Sequence, residues 1–574
     1  SITAKGTSDG KGGFVETSSK DNLQAFGSVN AYGGIEAGEW LLDPSNVEIN
    51  TSTTGGFYSA LFEPDTTSAT ISASSIKTSL ETVHVTISTH LGDAGSDQVG
   101  SITFASGVGL ENINTKATGR RLTLFASEDI NVSETISSSG GPLSIRLKAM
   151  GNVSVTNNAD IITKGGSFSV SGSNADGDPD TEMATSETAG SFLLNTGSDI
   201  NTTGGTGDDG GAVSIKTSVR SASLAGATDG DIDIKGNITT SGGTASSAGK
   251  DGGAVTLNAG LDSAGNTAGQ ITIFTGADIT TSGSAAASSS DGSGGAGGAV
   301  TFDSNSTSII LADTTVTTSG GAKDGTGTAG SGGLITISDA LSITTGAVTL
   351  NTGATAGGVT ISSTVDGAVD LDITSGTGAV AIQGVIGGTG ALATLDINAT
   401  SGTGTIEITD VGDGDPSAGV TGLTRLGNAA TGTLTLDGTN YDFGGGFTLG
   451  SATYTLSGST GSFATSGDVN FLGNVVVDGT FSVDSGGGNI SIAGNITGTN
   501  GDEIVTLTDG TGGDGTGTIT IGGYIGNEAA STSQIKSVSL TGDSGITLTG
   551  DITTSTAAGG AIALTGPVTL AGDI

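Results

Sequence analysis

Two short phrases recur along the chain and constrain its fold more than any other feature. The first phrase, typified by Asp-Ile-Thr-Thr-Ser-Gly, begins at Asp199, Asn237, Asp278 and Thr315. The second phrase, typified by Gly-Gly-Ala-Val-Thr-Leu, begins at Gly210, Gly252, Gly297 and Gly332. Recurrence at a nearly constant interval is the sign of a repeat architecture, in which one structural unit stacks on the next.

The repeat is close to 40 residues long, which we interpret as two coils of about 20 residues each. Within each phrase apolar residues alternate with Thr, Ser or Asp, the pattern of a strand with one buried face. Glycines follow the strands, where tight corners need a residue without a side chain. Stacking at the inter-strand spacing would then give roughly 25–29 coils in an elongated rod. We expect variable stretches such as 285–296 to form loops that grow outward.

Composition supports repetition over a single large core. The 105 Gly residues would by themselves suggest low complexity. However, apolar triplets such as Val213-Ser-Ile215 and Ile271-Thr-Ile273 are not expected in a disordered chain, which has nothing to bury. The chain has no Cys, and a solenoid needs none because its core grows with every repeat. The sequence therefore predicts an all-β fold, a parallel β-solenoid.

Charge and hydropathy limit the partners. The net charge of −40 repels nucleic acid and anionic membrane surfaces, so we expect neither as a partner. Apolar runs stay well below the ~18 residues that a membrane span needs, so we expect no membrane insertion of this segment. The chain begins and ends within the repeat pattern, and we interpret it as a piece of a longer protein.

Two N-terminal stretches carry a family resemblance. They are Gly12-Gly-Phe-Val-Glu-Thr-Ser18 and Gly38-Glu-Trp-Leu-Leu-Asp-Pro-Ser-Asn-Val-Glu-Ile49, and Leu122-Thr-Leu-Phe-Ala126 and Gly566-Pro-Val-Thr-Leu570 add to them. Together they resemble filamentous-haemagglutinin-like exoproteins and high-molecular-weight adhesins of the two-partner (type Vb) secretion pathway. The Asn-Pro-Asn signals of that family's secretion domain are absent from this sequence, so the chain does not contain the part that the exporter recognises.

The resemblance implies a fold, a location and partners. The fold would be a right-handed parallel β-helix. The protein would leave a bacterial cell through an outer-membrane transporter and reside at the cell surface or in the extracellular matrix. Its further partner would be an extracellular polysaccharide or a cell-surface receptor, and its role would be adhesion.

We divide the sequence into three segments. Residues 1–150 hold the family motifs and a short helical excursion near 74–81, followed by a strand from Val83 to Ser88. Residues 151–425 hold the Gly- and Thr-rich repeats, and residues 426–574 hold a different, aromatic-richer repeat. We expect Trp40 to fill the core. We also expect the clustered aromatic residues to fill the core and not to form a sugar-stacking platform. They are Tyr441, Phe443, Phe447, Tyr454, Phe463, Phe471 and Phe481.

Motifs for catalysis are weak. Gly542-Asp-Ser-Gly545 and Gly6-Thr-Ser-Asp-Gly10 look like serine-nucleophile motifs. A nucleophile elbow needs a following helix, and we predict no helix after either motif. The histidines, His84 and His90, are predicted to lie on one exposed strand face. Carboxylates are scattered and basic residues are scarce, which disfavours polysaccharide cleavage by a β-helix site. We therefore predict no catalytic residue, no cofactor-binding residue and no enzymatic activity.

Calcium is the one cation for which the sequence offers candidate ligands. Asp176-Gly-Asp-Pro-Asp180 with Glu182 places hard oxygen ligands in one loop, and Asp413-Gly-Asp-Pro416 repeats part of it. Gly204-Gly-Thr-Gly-Asp-Asp209 begins like a calcium-binding nonapeptide. We favour solvated acidic loops in all three places and assign no metal ligand.

Three functions stay open at this point. The first is a surface adhesin or biofilm-matrix scaffold. The second is a structural filament or surface-layer subunit, and the third is a polysaccharide-degrading enzyme on a β-helix.

Overall fold

The computed structural model describes most of the chain. The described residues are 1–19, 23–44, 46–51, 69–89, 100–115, 119–149, 151–172, 189–218, 230–260, 269–305, 308–413, 418–451, 453–456, 460–510, 516–527, 534–555 and 560–572. They fall into two compact units. Unit 1 comprises Ser1–Ile310 and Val316–Gly333, and unit 2 comprises Leu311–Thr315 and Leu334–Ile574. The divisions at 150 and 425 stay predictions about the sequence repeats.

Unit 1 is built from three parallel sheets. The first sheet contains Phe14–Ser18, Glu39–Asp43, His84–Ser88, Arg120–Ala126, Leu143–Ala149, Phe168–Ser171, Val213–Ser218, Val255–Gly260 and Val300–Asp303. The second contains Gln24–Ala25, Val47–Asn50, Ala69–Ser72, Ile102–Phe104, Ile130–Val132, Val153–Val155, Phe192–Leu194, Ile232–Ile234 and Ile271–Ile273. The third contains Leu110–Ile113, Ile136–Ser138, Ile161–Ile162, Ile200–Asn201, Ile238–Thr239 and Ile279–Thr280. Ile2–Thr3 pairs with Val29–Asn30, while Ser308–Leu311 and Thr315–Thr317 contain residues of both units.

Unit 2 has the same plan. Its first sheet contains Ile335–Ile337, Val359–Ile361, Val380–Ile382, Ile406–Ile408, Thr433–Leu436, Thr453–Leu456, Asn474–Val477 and Ile496–Gly498. The second contains Ala340–Ile343 and Val365–Gly367, and later Asn440–Phe443, Thr460–Thr465, Thr480–Asp484, Ile504–Thr508, Ser537–Thr541 and Ala561–Thr565. The third contains Val348–Asn351, Leu371–Thr374, Leu395–Ile397, Thr424–Gly427, Phe447–Gly450, Val469–Phe471, Ile490–Ile492, Ile519–Ile521, Ile546–Leu548 and Val568–Leu570.

Each coil contributes its strands to these sheets and pairs in register with the equivalent strands of the next coil. In unit 1, Val213 pairs with Val255, which in turn pairs with Val300, and all three strands are parallel. In unit 2, Val359 pairs with Val380 in the same way. The predicted all-β parallel β-helix is therefore confirmed. Its right-handed winding stays a prediction from the resemblance.

The alternation of side chains explains why these short strands form a core. Ile200, Ile238 and Ile279 lie one above another in the third sheet, and each is fully buried. Burying an aliphatic side chain contributes about 1.5–3 kcal/mol relative to leaving it in water. Since the coils repeat the same inward positions, each new coil extends the same aliphatic column.

The interpretation of the 40-residue repeat as two coils is wrong. From Val213 to its partner Val255 the chain advances 42 residues and makes a single coil, while from Val359 to Val380 it advances 21. The extra length in unit 1 lies in the connections between strands and not in a second coil. The expected coil number of 25–29 is therefore too high.

The N-terminal excursion forms as predicted. The helix spans Ala73–Leu80 and the strand that follows spans His84–Ser88. Trp40 is buried at 3% exposure, and its indole Nε1 donates a hydrogen bond to Thr17 Oγ1 at 3.1 Å, so its predicted core position is confirmed. Within the described ranges, no helix has both the length and the apolar character that a membrane crossing requires.

Candidate binding surface

Adjacent threonines of the first phrase face opposite ways. In the coil that contains Ile238–Thr239, the side chain of Ile238 points inward, Thr239 outward and Thr240 inward. Thr240 is fully buried, whereas Thr239 is half-buried at the surface. The period of two that defines a strand thus divides one Thr-Thr pair between core and surface.

The outward positions form a regular hydroxyl array on the third sheet of unit 1. Thr239 is in register with Thr280, which is in register with Thr317. Ser241, Ser282 and Ser319 follow two residues later in the same three coils. We call these six residues, Thr239, Thr280, Thr317, Ser241, Ser282 and Ser319, the hydroxyl array. Its spacing is about 4.8 Å between coils and about 7 Å along each coil.

A ladder of Asp and Asn side chains borders this array. The backbone N–H of Asn237 donates to Asp199 Oδ1 at 2.7 Å, and the N–H of Asp278 donates to Asn237 Oδ1 at 3.0 Å. Asp199 N–H donates in turn to Asp160 Oδ1 at 3.0 Å. The Asp or Asn that opens a phrase therefore holds the next coil in register, as Asp199 and Asn237 do. This ladder was not predicted, although the Asp or Asn at the start of three of the four phrases signals it.

The inward threonines close the connection to the first sheet. Thr281 Oγ1 donates to the carbonyl oxygen of Gly298 at 2.5 Å, and Thr318 Oγ1 donates to that of Gly333 at 2.7 Å. Equivalent bonds join Thr163 to Gly166, Thr202 to Gly211 and Thr240 to Gly253. The separation between the bonded residues ranges from 3 to 17 positions. One buried hydrogen bond thus fixes the base of connections that differ greatly in length.

The four long connections pack on one another as a glycine bundle, which comprises residues 203–211, 241–253, 282–298 and 319–333. Backbone hydrogen bonds join each connection to the next, as from Gly242 N to Ser282 O at 2.9 Å and from Gly283 N to Ser319 O at 2.9 Å. Others join the outgoing and returning halves, as from Gly295 N to Ser284 O at 3.0 Å. The expected outward growth of stretch 285–296 therefore takes the form of stacked, hydrogen-bonded backbone.

Glycine is required in this bundle because backbones approach too closely for a side chain. A Cβ on Gly295 would lie 2.0 Å from the carbonyl oxygen of Lys250, and one on Gly321 would lie 1.9 Å from that of Ser284. Main-chain contacts of this kind leave no room to relax. The bundle thus packs backbone against backbone in place of apolar side chains. The glycines of the second phrase are required for the same reason, since a Cβ on Gly298 would lie 2.1 Å from the carbonyl oxygen of Gly253.

The clustered aromatic residues of unit 2 lie in the core, as predicted. Phe463 contacts Tyr441 with ring centroids 4.7 Å apart, and Phe447 at 5.4 Å. All seven are at most 1% exposed, namely Tyr441, Phe443, Phe447, Tyr454, Phe463, Phe471 and Phe481. The Tyr441 hydroxyl accepts a hydrogen bond from Gly438 N at 2.7 Å, and burial raises the pKa of Tyr441 well above its ordinary value. These rings are not available to stack on a sugar.

The serine motifs lack the setting of a nucleophile. Ser544 Oγ donates to the carbonyl oxygen of Thr516 at 2.9 Å, and a strand, Ile546–Leu548, follows it. The motif at residues 6–10 is likewise followed by the strand Phe14–Ser18. The prediction that neither motif leads into a helix is confirmed.

The expectation that His84 is exposed is wrong. The residue is half-buried, and its Nδ1 accepts a hydrogen bond from Arg121 N at 3.0 Å. The neighbouring strand Arg120–Ala126 places this donor against the imidazole ring, so the side chain is partly covered. His90 lies outside the described residues.

No cation site is seen at those parts of the acidic loops that the structure describes. Residues 176–182 and 414–417 lie outside the described part of the chain. Of the nonapeptide-like stretch, Asp209 Oδ1 accepts a hydrogen bond from Asp251 N at 3.1 Å, so this carboxylate acts in the bundle as a backbone acceptor. In the parts of the chain that the structure describes, no three His, Asp or Glu side chains gather closely enough to hold a metal ion.

Comparison with known proteins finds no matching protein family and no curated relative of similar sequence.

Proposed function

We propose that this chain is a non-enzymatic surface adhesin or matrix scaffold, secreted by a bacterium through an outer-membrane transporter. The localisation and the transporter follow from the resemblance of the N-terminal motifs to two-partner adhesins. The observation that carries the binding role is the hydroxyl array of unit 1. It repeats one small set of hydrogen-bonding groups at a constant spacing on successive coils.

A repeated array suits a repeated ligand. A single hydroxyl contributes only about 0.5–1.5 kcal/mol through a hydrogen bond. Equivalent bonds along one polymer add as a multivalent contact, because each bond after the first forms at a high effective concentration. An extracellular polysaccharide offers hydroxyls in series and matches this requirement.

Charge narrows the polysaccharide class. The array itself is neutral, while the chain carries a net charge of −40. Carboxylates of Asp199 and Asp278 flank the array. Polyanionic glycans would be repelled by this field, so we propose a neutral polysaccharide as the ligand.

The test is co-sedimentation with insoluble neutral polysaccharides, for example cellulose, chitin and a β-1,3-glucan. The array variant is Thr239→Val with Thr280→Val and Thr317→Val. A matched control places Ser214→Ala, Thr256→Val and Thr301→Val at the equivalent outward positions of the first sheet. We expect the array variant to lose affinity by at least about tenfold, the factor that 1.4 kcal/mol represents, and the control to bind like the parent chain.

Other outcomes would contradict the proposal. Equal binding by the two variants would exclude the array as the contact surface. Assembly of the pure protein into filaments without glycan binding would favour a structural subunit. Release of soluble sugars from any of these polymers would show an enzyme.

A further inference from the structure

A turn in unit 2 encloses a buried carboxylate. Glu503 is fully buried, and its carboxylate accepts hydrogen bonds from three successive backbone N–H groups. These come from Thr499 at 2.6 Å, Asn500 at 2.5 Å and Gly501 at 2.8 Å. Thr499 Oγ1 adds a fourth bond at 3.1 Å. Successive N–H groups that converge in this way form an anion-binding nest, here filled by the chain's own side chain.

The same turn contains the single Asn-Gly dipeptide of the sequence, Asn500-Gly501. Asn-Gly is the dipeptide most prone to spontaneous deamidation, because glycine leaves its own amide nitrogen unhindered. That nitrogen attacks Cγ of the asparagine, a C–N bond forms, and ammonia leaves. Water then opens the five-membered ring at either carbonyl and yields aspartate or isoaspartate.

We propose that Asn500 is a latent deamidation site and that the carboxylate of Glu503 slows its deamidation. The attacking nitrogen of Gly501 must lose its proton and turn toward Cγ of Asn500. Its N–H is instead bound to the Glu503 carboxylate, whose negative charge opposes loss of the proton. The side-chain Nδ2 of Asn500 donates to Asp478 Oδ1 at 3.1 Å, which restrains the leaving group as well.

The carboxylate is charged at neutral pH, as this role requires. Burial raises the pKa of Glu503, but the N–H donors of the turn and the Thr499 hydroxyl outweigh burial and leave the pKa below its ordinary value. Hydrogen bonding to the charged form has this effect in general. The inference is independent of the proposed binding function, since it rests on the turn alone.

The experiment follows deamidation at Asn500 by peptide mass spectrometry and by enzymatic isoaspartate detection during incubation in mildly alkaline buffer. The intact chain is compared with a free peptide of residues 496–507 and with the variants Glu503→Gln and Glu503→Asp. Glu407→Gln, at an exposed outward position of a strand, is the control for loss of a charge.

We expect the intact chain and Glu407→Gln to react on the order of tenfold to a hundredfold more slowly than the peptide, the factor that a hydrogen bond to a charged group represents. Glu503→Gln should approach the peptide rate. Glu503→Asp keeps the charge on a shorter side chain, so it should react at an intermediate rate and preserves the test if Glu503→Gln unfolds the coil. A parent chain that deamidates as fast as the peptide would overturn the proposal. So would a folded Glu503→Gln or Glu503→Asp variant as slow as the parent.

Discussion

At the scale of single residues, side-chain direction decides the role of chemically identical groups. Thr280 and Thr281 are neighbours, yet Thr280 belongs to the hydroxyl array and Thr281 is fully buried with its hydroxyl bonded to Gly298. Val has nearly the shape of Thr without the hydroxyl. The same substitution at the two positions therefore separates the surface role from the core role.

We predict that Thr281→Val lowers the free energy of unfolding by about 1–3 kcal/mol, because it leaves the buried carbonyl of Gly298 without this donor. Thr280→Val should change stability by less than about 0.5 kcal/mol, as is usual at surface positions. Denaturant unfolding followed by circular dichroism measures both. Equal effects would show that the bond between Thr281 and Gly298 contributes nothing to stability.

Glu503 gives a prediction about pH. Its pKa in the folded chain lies below that in the unfolded chain, so its stabilising contribution is complete above the unfolded pKa. That contribution is lost as the pH falls through the folded value. Glu503→Gln should lower the free energy of unfolding at neutral pH by about 1.5–3 kcal/mol, the range for hydrogen bonds to a charged group.

The difference between parent and variant should shrink as the solution is acidified. Thermal unfolding between neutral and acidic pH measures this trend for both proteins. A difference that stayed constant over that range would mean that the charge of Glu503 does not contribute.

At the scale of elements, the glycine bundle is a structure that the pattern of side chains does not predict. Its connections carry few apolar side chains, and backbone hydrogen bonds and close glycine contacts hold it together. We predict that Gly295→Ala destabilises the bundle by about 1–3 kcal/mol, the usual effect of overpacking, because its Cβ would meet the carbonyl of Lys250.

Hydrogen exchange of the amides in 282–298 and 319–333 measures this effect locally. Gly27→Ala is the matched control, since a Cβ there meets nothing within 4 Å. Faster exchange in the bundle of the Gly295 variant alone is the expected result. If both variants exchange like the parent chain, glycine is not required at the centre of the bundle.

Much of this architecture could be predicted from the sequence, because alternation and repetition are local signals. The Ile-Thr and Val-Thr phrases are strands in register, and the aromatic cluster around Phe463 is core. The number of coils per repeat could not be predicted. A connection of 17 residues and one of 3 close with the same Thr-to-Gly bond, so period alone does not reveal how many strands complete a coil.

The candidate site was less accessible to sequence analysis than the fold. Thr and Ser dominate both the outward array and the inward bonds, and composition does not separate the two. The position of His84 depended on a partner, Arg121, that lies 37 residues away in sequence. Contacts between residues so far apart in sequence arise from the stacking of coils. They cannot be assigned until that stacking is known.

At the scale of the whole molecule, both units follow one rule, in which each coil lies on the preceding one with equivalent residues paired. The core columns, the Asp and Asn ladder and the hydroxyl array all depend on this stacking. The chain has no Cys, so pairs of introduced cysteines report the register without interference.

The most direct test introduces cysteines at Thr239 and Thr280, which are paired in register on adjacent coils. Their Cα atoms should lie about 4.8 Å apart, within the range that a disulfide spans. Cysteines at Thr239 and Thr317, two coils apart, should lie too far from each other at about 9.6 Å. Under mild oxidation of dilute protein we predict an intramolecular disulfide in the first pair and none in the second. A disulfide in the Thr239–Thr317 pair, or none in the Thr239–Thr280 pair, would contradict the stacking of coils on which the account depends.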